Sequence, residues 1–264
     1  MKIAVCIKQV PATESKIKPA ADGKDIDRTG LSFVVNPYDE FGVEEALKIK
    51  EQLGEGRITV ISIGSDKTAE ALRTCLAVGA DQAIHIKDAA LEGSDAHALA
   101  RVLTAALQRE NLDIIFFGKQ AIDDDSGAVG IYVAEMMNLP HVSAINKLEI
   151  LSDENRAVAH RQIEGGTEII EVSLPAVFTC QKELNEPRYA SLPGIMKAKQ
   201  KPLSVLSLAD LEIAPDSVGL DNAVITLDQL SPPPTRTAGT PLEGNAEEAV
   251  SELVRLLREE AKVL

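Results

Sequence analysis

Apolar residues in the first half of the chain come in short, nearly unbroken runs: KIAVCI at 2–7, RITVISIG at 57–64, AIHI at 83–86 and LDIIFFG at 112–118. Runs of this length, rich in Val, Ile and Phe and without polar alternation, predict strands buried on both faces. Between them the spacing changes. Val43, Ala46, Leu47 and Lys50 fall at helical spacing within 39–53, and Ala69, Leu72 and Leu76 do so within 66–78. A third helix is predicted over 94–109, behind an Asp-containing start. Strand and helix alternating at this rhythm predict an α/β fold with a doubly wound, mostly parallel sheet.

From about residue 142 the texture differs. VSAINKLEIL, RAVAHRQI, TEIIEVSL and PAVFTC read as strands, with turn signals in SDEN (152–155) and EGG (164–166), so antiparallel hairpins are expected to extend the sheet. A loop is expected from Gln181 to Lys201. SPPPTRTAGTP (231–241) reads as an extended linker, because proline neither continues a helix nor donates in a central strand. Beyond it, Val250, Leu253, Leu256 and Leu257 form the apolar stripe of a terminal helix. The organisation expected is therefore one α/β domain over 1–230 and an arm plus helix over 231–264. Such a long arm favours a helix that reaches a partner chain over one that returns locally.

Composition narrows the function. With 264 residues and 45% hydrophobic residues the chain has the means for a substantial core. A formal net charge of −14, no Trp and 3% aromatics argue against nucleic acid, which calls for clustered cations or stacking platforms. No window is apolar for long enough to span a membrane, and MKIAVCIKQV has the look of a strand and not of a secretion signal, so a cytoplasmic location is expected. Cys6, Cys75 and Cys180 are far apart and lie in apolar segments, which predicts buried free thiols. His85, His97, His141 and His160 share no spacing that suggests a metal or catalytic pair.

In a doubly wound sheet, ligands bind beyond the carboxyl ends of the strands. Four segments fall there: KQVP after the first strand, NPYD (36–39), GSD (64–66) and GKQAIDDDSGAVG (118–130). The last leads into a helix expected to run to about Asn138. Its small residues Ser126, Gly127, Ala128 and Gly130 would let a phosphate approach the free amides of a helix N-terminus. Asp123, Asp124 and Asp125 would then cap the helix and close the loop. A magnesium site and a plain helix cap are the alternatives at this stage. No G-x-G-x-x-G, Walker loop or G-x-S-x-G elbow is present, and no nucleophile and base pair stands out, so no catalysis is expected.

Three stretches carry a family likeness. VAHRQIEGGTEIIEVSLPAVFT (158–179), LNEPRYASLPGIMKAK (184–199) and KQAIDDDSGAVG (119–130) closely resemble the β-subunit family of electron transfer flavoproteins, and KIAVCIKQVP and NPYDEFGVEEALKIKE fit it as well. The resemblance implies a Rossmann-like adenine-nucleotide-binding domain that pairs with a larger α subunit. That subunit holds most of the redox-active FAD, while this chain holds a structural AMP. The implied AMP contacts are Cys6, Asn36, Pro37, Tyr38, Asp39, Ile63 and the run Gln120, Ala121, Ile122, Asp123, Asp124, Asp125, Ser126, Gly127, Ala128, Val129, Gly130 and Ile131. Tyr38 corresponds to an aromatic position near the flavin, and Thr13 stands where some relatives carry a tyrosine.

The resemblance also implies a docking loop at 184–199, with Leu192, Pro193, Ile195, Met196 and Lys197 facing acyl-CoA dehydrogenases or other flavin dehydrogenases. Lys197, Lys199 and Lys201 would make a basic cluster there. Arg161 and Glu164 are implied at the subunit interface, a quinone oxidoreductase is the implied acceptor, and the location is the mitochondrial matrix if the source is eukaryotic. The electron-bifurcating branch, with a second FAD in place of AMP, commonly reads D-G-D-T-A-Q-V-G-P where this chain has Asp124 and Ile131, which favours AMP. A free-standing nucleotide sensor of the stress-protein kind is the alternative from another class. An ATP pyrophosphatase is disfavoured because KQVPATES replaces its S-G-G-x-D-S loop.

Overall fold

The computed structural model describes residues 1–235 and 238–264; Arg236 and Thr237, within the predicted linker, lie outside the described residues. It divides into two units, Met1–Ile17 with Asp27–Asp228, and Lys18–Ile26 with Gln229–Leu264.

The first unit is built on a nine-stranded sheet. Its parallel core contains β1 (Lys2–Cys6), β4 (Arg57–Ile63), β5 (Gln82–Ile86), β6 (Ile114–Gly118), β10 (Ala176–Cys180) and β11 (Leu203–Leu206), and the longer β7 (His141–Leu151), β8 (Arg156–Ile163) and β9 (Gly166–Ser173) extend it. The order is β11-β5-β4-β1-β6-β10-β7-β8-β9. A separate two-stranded ribbon pairs β2 (Gln9–Pro11) with β3 (Phe33–Val35). The expected doubly wound α/β class is what the chain adopts.

Alternation along β1 shows how the layers form. Ile3 and Val5 point into a core shared with α1 (Pro37–Leu53) and α2 (Thr68–Val78), while Ala4 and Cys6 point into a second core with α3 (Ala96–Leu107) and α4 (Val129–Met136). Both faces are covered, which is why the strands read as unbroken apolar runs. The chain leaves β1 towards β4 on one side, and β6 pairs with β1 on the other, so strand order reverses at β1.

Two expectations need correction. PAVFTC does not continue the antiparallel hairpins: β10 inserts between β6 and β7, parallel to both, and all of its residues are buried. Antiparallel pairing is confined to β7, β8 and β9 within this sheet. The expected loop at 181–201 contains α5 (Leu192–Ala198), started by Ser191, whose side chain accepts from the Gly194 amide at 3.1 Å. Pro193 suits a first helical turn, which has no intrahelical use for its missing N–H.

In the second unit, α6 (Ala246–Glu259) opens with a capping box. Asn245 accepts from the Glu247 and Glu248 amides at 3.0 and 3.1 Å, and Glu248 accepts from the Asn245 amide at 3.0 Å. No α6 residue is buried. Among the described residues no helix is long and apolar enough to cross a membrane.

Candidate functional site

In a doubly wound sheet a reversal of strand order marks a crevice beyond the carboxyl ends of the strands that flank it, here β1 and β6, and α1 begins beside those ends. Asp39, in the first turn of α1 and only 5% exposed, ties the three elements together. One carboxylate oxygen accepts from the Lys8 amide at 2.6 Å, and the other accepts from the Gly118 amide at 2.9 Å and from Asn36 Nδ2 at 3.0 Å. Burial pushes this carboxyl up to about 7, against the pull of the three donors. Gly118 has no room for a side chain, since a Cβ there would lie 2.3 Å from Asp39 Oδ1 and 2.8 Å from Tyr38 Cβ.

Asn36 extends the tie to the acidic loop. Its buried amide donates to the Gln120 carbonyl at 2.9 Å and its oxygen accepts from the Ile122 amide at 3.2 Å. Lys8 Nζ reaches Asp123 at 2.8 Å and Asp124 at 2.9 Å. Burial of Lys8 alone would lower its pKa, yet the hydrogen bonds and charges of the two carboxylates outweigh it and raise it. Asp124 also accepts from the Ser126 amide at 3.0 Å; burial alone would raise its carboxyl, yet the amide and the Lys8 ammonium outweigh it and hold it below the usual range. Asp125 takes a hydrogen bond from Gln120 Nε2 at 2.6 Å.

The aspartates thus brace the loop, and the expectation that they cap the helix is corrected: Ala128 is the N-cap of α4 and makes no side-chain cap hydrogen bond. The first amide to close back onto the turn is that of Tyr132, to the Ala128 carbonyl at 3.0 Å. The amides of Val129, Gly130 and Ile131 precede it, in the turn where a helix has no internal acceptors. Gly127 takes a positive φ of 61°, with Lys119 O at 3.0 Å from where its Cβ would stand, so an L side chain there is strained. Gly130 is buried against the Phe117 ring. Asp123 to Ser126 are exposed, and the following small residues are half-buried.

The structure therefore gathers Asn36, Pro37, Tyr38, Asp39 and the run Gln120–Ile131 around one strand-end crevice. Cys6 and Ile63 end two adjacent paired strands there; the Cys6 side chain is buried in the second core, and burial, helped by Asp39, pushes its thiol well above the usual range. An inert thiol follows. Sequence reading missed Lys8 and Gly118 as site residues. Both lay within strand-end segments already singled out, and the signal for each is position: a lysine just after the end of the first buried strand and a glycine at the last residue of another. Among the described residues no group of three or more His, Cys, Asp or Glu is placed to hold a metal.

The other predicted residues lie outside this network. In α5 and the approach to it, Tyr189, Leu192, Ile195 and Met196 are 97%, 73%, 47% and 68% exposed, and Pro193 and Lys197 are exposed beside them. Lys201 does not join Lys197 and Lys199 in a surface cluster, because its ammonium turns inward to the Leu76 and Ala80 carbonyls at 2.9 and 2.7 Å. Those carbonyls lie in the last turn of α2 and just beyond its end, where a cation offsets the helix dipole. Arg161 faces Glu168 across β8 and β9 at 3.6 Å, with its Nε buried and without a hydrogen-bond partner, and Glu164 is exposed at the β8–β9 turn. Thr13 is exposed.

Comparison with known proteins identifies the family. The family model described as electron transfer flavoprotein domain matches residues 24–211. The protein named electron transfer flavoprotein subunit beta from Methylophilus methylotrophus is 38% identical over 261 residues, covering 98% of each chain. Its namesake from Bacillus subtilis (strain 168) is 41% identical over 266 residues, covering 100% of each. The caffeyl-CoA reductase-Etf complex subunit CarD of Acetobacterium woodii is 36% identical over 262 residues, with 98% of each chain covered. A sheet that reverses order at β1, a strand-end loop of small residues and similarity over essentially the whole length lead to one conclusion: the chain belongs to the electron transfer flavoprotein family, as a beta subunit.

Proposed function

We propose that this chain is the non-catalytic half of a heterodimeric electron carrier, that it holds AMP as a structural ligand, and that it presents α5 to flavin dehydrogenases. The observation that carries the reading is the start of α4, where an uncapped helix N-terminus meets small residues at the reversal of strand order. An adenylate phosphate suits that place: unpartnered amides and the positive end of the helix dipole offset its charge. Lys8 makes this possible by neutralising Asp123 and Asp124, which otherwise would repel an anion. Asn36 and Asp39 hold the loop to the sheet without spending the amides of α4.

The α subunit would hold most of the FAD, which supplies the electron-accepting chemistry when bound. Tyr38, half-buried at the start of α1, would belong to the flavin's surroundings on this side. Arg161 and Glu164 on the exposed β8–β9 hairpin, together with the arm and α6, would contact that subunit. Leu192 would anchor an acyl-CoA dehydrogenase or similar flavoenzyme, as an exposed apolar residue can fill a partner pocket. A quinone oxidoreductase would accept the electrons, and the carrier would work in the cytoplasm, or the mitochondrial matrix in a eukaryote.

A second FAD in place of AMP is the competing reading. Asp124 speaks for AMP, because its side chain ties Ser126 and Lys8 together, which a glycine at that position does not do. Mass spectrometry of nucleotides released from the α/β complex tests the choice: AMP with about one FAD per heterodimer is expected, since a ligand of the native state co-purifies with it. Two FAD and no AMP would establish the alternative.

A further inference from the structure

The exposed apolar side chains of α5 and its approach are held out by an anchor buried several residues earlier. Leaving β10, the chain buries Leu184, and Asn185 Nδ2 donates to the Phe41 carbonyl and to Glu45, both at 2.9 Å. Arg188 then grips α1. Its Nε lies 2.8 Å from Glu44 Oε2, its Nη2 lies 2.8 Å from Glu44 Oε1, and its own backbone amide donates to Glu44 at 3.2 Å. The same Nη2 reaches Glu51 at 3.0 Å. The Glu44 side chain is only 7% exposed. A carboxylate so enclosed needs a partner that satisfies both oxygens, and the planar guanidinium does this where an ammonium cannot.

Between this clamp and α5 lie only Tyr189, Ala190 and Ser191. The far end of the segment is fixed too, since Arg73 Nη1 donates to the Ala198 and Lys201 carbonyls at 2.6 and 2.9 Å. In the middle, Gly194 lies against the Ala77 carbonyl so closely that a Cβ would be 2.3 Å from it. Apolar side chains left in water gain nothing by staying extended, and a free loop carrying them would sample many conformations. The polar clamp removes that freedom before any partner arrives.

We propose that Arg188 is a positioning residue for docking: through its paired hydrogen bonds to buried Glu44 it fixes the segment that presents Leu192, Ile195 and Met196. The proposal deepens the docking reading of Leu192 and rests on it. The test uses the α/β complex carrying Arg188→Met, Arg188→Lys or Leu192→Ala, with a purified acyl-CoA dehydrogenase and its acyl-CoA as electron donor. Re-ordering a loosened segment on binding should raise the KM for the dehydrogenase about tenfold in Arg188→Met while kcat stays within about twofold. Amide exchange over 192–198 should quicken, FAD content should be unchanged, and Arg188→Lys should fall between. Leu192→Ala should raise KM without quickening exchange.

A normal KM in Arg188→Met beside a raised KM in Leu192→Ala would overturn the positioning role and leave docking intact. Normal values in both would remove the docking reading and the proposal with it. If Arg188→Met fails to assemble, Arg188→Lys decides by the same pair of readouts, and wild-type values in it would count against the proposal.

Discussion

The strand-end crevice and the α5 segment solve opposite problems within one unit. At the crevice, buried side chains of Asn36 and Asp39 hold the loop that leads into α4, whose first amides have no acceptor within the helix and no side-chain cap. At α5 the main chain is held by Arg73 and Arg188, so that large side chains face outward. A surface of amides and glycine suits a small anion, whereas a surface of Leu, Ile, Met and Tyr suits another protein. The contrast teaches that each surface is held in place by side chains other than the groups it presents.

The largest effect is expected at Asp39. Asp39→Ala leaves the Lys8 and Gly118 amides and the Asn36 side chain without their acceptor, and should lower unfolding free energy by about 3 kcal/mol, read by urea denaturation. The pH dependence has a definite sign. A carboxyl at about 7 in the folded chain, against about 3.9 unfolded, binds its proton more tightly when folded. Its contribution is fully present below the unfolded value and is lost as pH rises through about 7. Asp39→Asn should flatten that part of the stability profile; an unchanged slope would mean another group is responsible.

Gly118→Ala comes next. The added methyl would collide with Asp39 and Tyr38, and the strain should cost about 2 kcal/mol and weaken AMP retention. Calorimetry of the complex with and without added AMP would show both effects, and a neutral result would mean that α1 has room to move. Leu192→Ala sharpens the contrast from the other side: no loss of AMP or of melting temperature is expected, and electron transfer from a dehydrogenase should drop about tenfold at subsaturating donor. The smallest change belongs to Lys8→Met. Lys8 pairs with exposed carboxylates, so stability should shift by less than about 1 kcal/mol, while two unpaired charges beside the anion should weaken AMP about fivefold in a titration.

Much of this was legible in the chain itself. β1, β4, β5, β6 and α1 to α3 follow from unbroken apolar runs alternating with helical spacing, and the strand-end place of the candidate site follows from where those runs end. What escaped had physical reasons. β11 is a four-residue edge strand with two exposed positions, and its place is decided by pairing with β5 and not by its own pattern. β10 was misassigned by its neighbours: its five buried residues carry the signature of a doubly covered strand, unlike the largely exposed β9 before it. α5 hid behind Pro193 and Gly194, residues that break a helix interior but are accommodated in this first turn by the Ser191 cap and the close approach to Ala77. At the site, the acidic triplet was visible while its counter-ion Lys8 was not, because 115 residues separate Lys8 from Asp123.

The central claim is that main-chain amides, and not the aspartates, grip the ligand. Residue-resolved hydrogen exchange on the nucleotide-stripped α/β complex, before and after adding AMP, tests it most directly. The account predicts new protection at the amides of Gly127 to Ile131 and no change over 192–198. Unaltered exchange at the start of α4, or protection that appears only at α5, would contradict it.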